Sequence, residues 1–231
     1  MASRLGVGAV VLALASGAGA TPRGVEVERL PTRAKVVALT FDGAWDDAGV
    51  PRILRALKQY RATATFFVTG SWVKRYRRLA RRIGRQYPVA NHSWSHPRMS
   101  RLSAVEIRKE IVRAQWWIRA GTGRDPRPYF RFPYGDRSAR SVAVVNELGY
   151  TSVRWSLDTW GWMGPAAGQS RTTVARRVAT MLSPGDILLL HIGANRDGST
   201  LDADALPAVL RLLRARGYRT VTLDRYVSRP R

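Results

Sequence analysis

The chain contains no cysteine among its 231 residues and only three histidines. The first absence removes thiolate catalysis, disulfide staples and sulfur-ligated zinc. Any metal must therefore be held by imidazole and carboxylate. Carboxylates are scarce as well: 16 Asp and Glu stand against 39 Lys and Arg, for a formal charge of +23. The extended apolar run Leu5 to Ala15 is too short to span a bilayer, which takes about 20 residues. No glycine-rich nucleotide loop follows the first strand-like run, which argues against a dinucleotide-binding fold. The aromatic-plus-basic signature of the common nucleic-acid modules is absent too, and nucleic acid is not expected as a partner.

What is present begins with an export signal. Arg4 supplies a positive start, Leu5 to Ala15 an apolar core, and Ala18-Gly19-Ala20 a small-residue cleavage site. Residues 1–20 are read as a signal peptide, 21–34 as a lead-in, and 35–231 as one domain. The mature chain is expected to be secreted or wall-associated, with no stable membrane span. Its positive charge suits an anionic cell-wall polymer, although an arginine bias also arises from base composition alone.

Seven β-rich runs alternate with helical patterns: Val36 to Phe41, Thr63 to Thr69, Val89 to Asn91, Tyr129 to Phe132, Thr151 to Leu157, Ile187 to His191 and Arg219 to Leu223. Between them, Val50, Ile53, Leu54 and Leu57 mark one helical face. Val73, Tyr76, Ala80, Ile83 and Tyr87 mark the next, backed by an arginine-rich outer face. Ser103 and Glu106 stand at capping-box spacing before a third helix. Further helices are expected over 139–148, 173–182 and 204–216, the last closed by Gly217. Strands interleaved with helices predict a parallel sheet, and a closed or nearly closed β/α barrel fits best.

Chemistry in such a barrel collects at the carboxyl ends of the strands. Asp42 falls at the end of the first run, His92 and His96 just after the third, and Arg131 at the end of the fourth. Asp158 follows the fifth and His191 ends the sixth. All three histidines share one predicted rim, and the i, i+4 spacing of His92 and His96 suits two imidazoles converging on an ion.

Thr40-Phe41-Asp42, Asn91-His92-Ser93-Trp94-Ser95-His96, Arg131-Phe132-Pro133-Tyr134-Gly135, Ser156-Leu157-Asp158-Thr159-Trp160-Gly161-Trp162 and Leu189-Leu190-His191 occur in that order. Together they resemble the polysaccharide deacetylases of the NodB-homology type, carbohydrate esterase family 4. The resemblance spans about residues 35–224. It implies a single distorted (β/α)7 barrel that removes acetyl groups from an acetylated glycan, peptidoglycan or chitin-like first. It also implies a divalent metal, zinc or cobalt, on His92 and His96, with Asp42 as general base. Arg131 would orient that base, the backbone around Tyr134 would help hold the oxyanion, and His191 would protonate the departing amine. Trp160 and Trp162 are either core residues or walls of the acetyl and sugar sites.

Two positions depart from the pattern. Family members carry a metal-binding aspartate where this chain has Gly43, and an aspartate supporting the catalytic histidine where it has Gly161. Asp46 is the substitute ligand suggested by position; Asp42 itself, water, or a metal-free site are the alternatives. Asp158 is the acid nearest in sequence to take the second role. An O-deacetylase of the acetyl-xylan type, or a non-catalytic glycan-binding pseudoenzyme, stays open at this point.

Overall fold

The computed structural model describes residues 26–227; the expected signal segment and the first residues of the lead-in lie outside them. Strand β1 (Val36–Gly43) is buried along its whole length, as expected of a parallel strand covered on both faces. Helix α1 (Val50–Tyr60) buries Val50, Ile53, Leu54 and Leu57. Then come β2 (Thr65–Val68), α2 (Gly70–Arg75), α3 (Arg77–Gln86) and β3 (Val89–Asn91). The expected single helix through Tyr76 is two, because Tyr76 leaves helical geometry at φ −114° and ψ 45°.

Helix α4 (Ala104–Thr122) starts at the Ser103–Glu106 capping box, with both reciprocal bonds present. After it come β4 (Tyr129–Phe130), α5 (Ala139–Glu147), β5 (Thr151–Ser152), β6 (Leu157–Asp158), α6 (Arg171–Met181), β7 (Asp186–His191), α7 (Leu201–Ala215) and β8 (Arg219–Thr220). Gly217, with φ 75°, follows α7 as anticipated.

The sheet runs β5-β4-β3-β2-β1-β7-β6, with β8 also on β1, and the pairings between these strands are parallel. The run expected as one strand over 151–157 is thus two, at opposite edges of the sheet. Five backbone steps join Ser152 to Leu157, a reach of at most about 18 Å, so the two edges must curl toward each other. This is the distorted (β/α)7 barrel. The lead-in helps at the gap: Val27 bridges Val153 and Arg29 bridges Asp186, and Arg29 also pairs with the Asp186 carboxylate at 2.7 Å. Among the described residues no helix is long and apolar enough to cross a membrane.

Candidate active site

Asp42 and His191 are register partners on the adjacent strands β1 and β7. Asp42 is nearly buried, and Arg131, just past β4, is fully so. Their contact is Arg131 Nη1 to Asp42 Oδ1 at 2.7 Å. The rest of the guanidinium is occupied: Nε donates to the Val153 carbonyl at 3.1 Å and Nη2 to that of Arg154 at 2.9 Å. Its plane lies over the Phe67 ring at 4.1 Å. A buried charge is tolerable only when paired and hydrogen-bonded, and this arginine is fixed in one orientation. Burial pushes the Asp42 carboxyl up, but Arg131, His92 and His191 outweigh it and hold it below the usual carboxylate range. Asp42 is therefore an anion at neutral pH.

His92 Nδ1 lies 2.8 Å from the Arg131 carbonyl. A carbonyl only accepts, so Nδ1 carries the proton and Nε2 presents its lone pair. That lone pair faces His96 Nε2 at 3.1 Å and Asp42 Oδ2 at 3.6 Å. Burial lowers the pKa of His92, and burial with the neighbouring His92 lowers that of His96 to about 3. Both rings are thus neutral donors at neutral pH. Two imidazole nitrogens meeting head to head, one with its tautomer set by a backbone carbonyl, suit a divalent ion. The fit is incomplete: among the described residues no group of three or more His, Cys, Asp or Glu side chains makes a metal cage. His96 Nδ1 is also buried without a partner.

The substitute ligand expected from sequence does not reach the pair. Asp46 turns away to accept from the Ala194 amide at 2.9 and 3.1 Å and from the Ala48 amide at 2.9 Å. It clamps the loop after β7 to the loop after β1. Gly43 faces Ile192, whose δ-methyl would lie 2.3 Å from a Cβ placed there.

Asp158 departs from its expected role in a similar way. It lines the cleft, but its carboxylate accepts from Trp162 Nε1 at 3.1 and 3.2 Å and from the Trp160 amide at 3.0 Å. The acid on the His191 ring is Asp202, from the first turn of α7: Nδ1 lies 3.4 Å from Asp202 Oδ2. The same oxygen accepts from the His191 amide at 2.8 Å. Burial pushes the His191 pKa down, yet Asp202, Asp42 and Asp158 outweigh it and leave it above the ordinary imidazole value. Sequence reasoning missed Asp202, since the helix expected over 204–216 leaves it in the preceding loop, whereas α7 begins at Leu201 and holds it in its first turn.

These groups surround a cleft of about 520 Å³ whose lining includes Asp42, His92, His96, Tyr134, Asp158, Trp162 and His191. The lip is aromatic: Trp45, Tyr134 and Trp162 are 64%, 55% and 52% exposed. Trp45 and Tyr134 approach the His96 ring edge-on at 5.4 and 4.4 Å. Ser93, His96, Tyr134 and Trp160 all adopt positive φ, between 58° and 69°. Non-glycine residues avoid that region unless the surroundings impose it, and such strain gathers at functional sites. A larger opening of about 710 Å³ lies at the other end of the barrel, beside Arg61 and Tyr218, and no histidine or carboxylate lines it.

Known proteins are similar to this chain in sequence and fold. Residues 29–153 match the polysaccharide deacetylase family. A peptidoglycan-N-acetylglucosamine deacetylase of Bacillus cereus is 32% identical over 196 residues, 84% of this chain and 68% of that protein. A chitooligosaccharide deacetylase of Sinorhizobium fredii is 32% identical over 201 residues, covering 83% and 92%. Among solved structures, a carbohydrate esterase family 4 pseudoenzyme from Bacillus anthracis superposes with a TM-score of 0.79 at 29% identity, covering 88% and 69%. A mutant of that pseudoenzyme has restored enzymatic activity.

Proposed function

The chain belongs to the polysaccharide deacetylase family, and from that premise we propose that it hydrolyses N-acetyl groups from a cell-wall glycan, peptidoglycan first. The observation that carries the proposal is the pairing of Asp42, locked by Arg131, with His191 on the adjacent strand of the same cleft. Water attacks the acetyl carbonyl as its proton passes to the Asp42 carboxylate. The C–N bond breaks as His191 gives a proton to the amine nitrogen, releasing acetate and a free amine. Arg131 keeps the base ionised and aimed, and the backbone around Tyr134 is assigned to the oxyanion. The aromatic lip offers flat apolar surface to sugar rings.

His92 and His96 would hold a divalent cation, zinc or cobalt, with Asp42 Oδ2 the nearest third donor. Such an ion supplies Lewis acidity toward water and the acetyl carbonyl. With glycine at position 43, its affinity is expected to fall below that of a site with a full carboxylate set. The signal-like residues 1–20 support export to the wall. The formal charge of +23 supports attraction to an anionic wall polymer.

Gly43 favours a second reading, a glycan-binding pseudoenzyme, because Ile192 occupies the direction a ligand there would take. Acetate release from a panel of acetylated glycans, with chelator and with added divalent ions, separates the two. Release that falls with chelator and returns with metal supports the deacetylase. Retained glycan binding without release under every condition supports the binder. Release from O-acetylated xylan alone would move the substrate to that class.

A further inference from the structure

Gly161 and Asp202 compete for one space. A Cβ placed on Gly161 would lie 2.2 Å from Asp202 Oδ1 and 2.6 Å from its Cγ, so only glycine at 161 admits the carboxylate. Asp202 is 4% exposed and is oriented from three sides. Thr159 Oγ1 donates to Oδ1 at 2.6 Å. The His191 amide donates to Oδ2 at 2.8 Å, and the same Oδ2 lies 3.4 Å from His191 Nδ1. The fixing of that carboxylate is itself built in: Thr159 belongs to the turn after β6, and Asn195 Nδ2 ties the Gly161 carbonyl to the loop after β7 at 3.2 Å.

An imidazole with one nitrogen turned to a buried carboxylate keeps its proton on that nitrogen and has its ring rotation set. Here Nδ1 is the nitrogen so engaged, which leaves Nε2 for the cleft that His191 lines. Asp158 does not compete for this task, since both its oxygens are held by Trp162.

We infer that Asp202 is the positioning residue of His191, delivered from α7 into the space that Gly161 leaves open. The inference rests on the proposed acid role of His191. Asp202 touches no reacting atom; it fixes the tautomer and direction of the ring that does.

The test compares Asp202→Ala, Asp202→Asn and the exchange Gly161→Asp with Asp202→Ala in the full chain. Two readouts are taken: acetate release, and the ring nitrogen resonances of 15N-labelled histidine. Only three histidines need assignment. Asp202→Ala and Asp202→Asn should each lower kcat about 10- to 100-fold, the usual cost of removing a partner that orients a functional imidazole. KM should stay within about twofold, as expected when an interaction serves the reacting group alone. The His191 nitrogens should shift from a fixed Nδ1–H tautomer toward a mixture. The exchange should recover at least about tenfold of the loss in kcat and restore the tautomer, since it returns a carboxylate to the same space.

A carboxylate that merely ties α7 to the turn after β6 would lower the melting temperature while leaving kcat and the tautomer as they were. That result in Asp202→Asn overturns the inference, as does a folded exchange variant that restores neither readout. If the exchange variant does not fold, Asp202→Asn decides alone. If the wild type releases no acetate, the proposed function fails, and the nitrogen resonances still decide whether Asp202 sets the His191 ring.

Discussion

A Cβ on Gly43 would lie 2.3 Å from Ile192 Cδ1 and 2.9 Å from Ile192 Cγ1. The two glycines that depart from the family pattern therefore have opposite fates. The space beside Gly161 is filled by a carboxylate, and that beside Gly43 by a hydrocarbon. The carboxylate and imidazole groups of the proposed acid–base pair are all in place, whereas among the described residues no three side chains form a metal cage.

Restoring the carboxylate at 43 should consequently need two changes. In Gly43→Asp alone the new side chain must push Ile192 aside, and overpacking of this kind costs about 1–3 kcal/mol. Gly43→Asp with Ile192→Ala removes both crowding atoms. Calorimetric titration of chelator-treated protein with zinc should show the double variant binding at least about tenfold tighter than wild type, equivalent to about 1.4 kcal/mol, with the single variant between them. Equal affinity in the single and double variants would show that Ile192 is no obstacle.

Asp46 gives the complementary prediction. Its carboxylate serves the amides of Ala194 and Ala48, so Asp46→Ala should leave zinc affinity within about twofold of wild type. It should lower unfolding free energy by about 1–3 kcal/mol, through amides left without their acceptor. A large loss of zinc affinity with unchanged stability would return Asp46 to the metal site.

His191 carries the pH dependence. In its proposed role as the acid it must be protonated, so kcat/KM should fall as pH rises through its pKa, which lies above the ordinary imidazole value. Asp158→Asn removes one of the carboxylates that raise that pKa, so the alkaline limb should move to lower pH. A limb that stays put would mean that another group titrates there. His191→Ala should lower kcat by about 10²–10⁴.

Much of this site was legible from strand ends. Asp42, His92, Arg131 and His191 all sit where apolar β-rich runs stop, and a parallel barrel turns that pattern into one rim. The emptiness of positions 43 and 161 was equally visible, because a missing side chain is a property of the residue itself. What fills the emptiness was not. Asp202 reaches His191 only through the packing of α7, and the helical pattern in the sequence starts at Asp204, three residues after the helix itself begins at Leu201. Asp46 is the acid near position 43 along the chain, but its partner Ala194 is 148 residues away. The break between β5 and β6 was hidden for a similar reason. Residues 151–157 are uniformly strand-like, and only pairing with β4 on one side and β7 on the other divides them.

The basic surface offers a check outside the cleft. Binding to an acidic wall polymer should weaken steeply as salt rises from about 0.05 to 0.5 M, since screening shortens the reach of surface charge to a few ångströms. Sedimentation with purified wall material measures it. Salt-independent binding would mean that the +23 charge plays no part.

The most direct test of the central claim is acetate release from peptidoglycan and N-acetylglucosamine oligomers, with zinc or cobalt present, by wild type and by Asp42→Asn. The account predicts release by the wild type and a loss of at least about 100-fold in the variant, the scale of a missing general base. Equal release by the two proteins, or none by the wild type while it still binds the glycan, would contradict it.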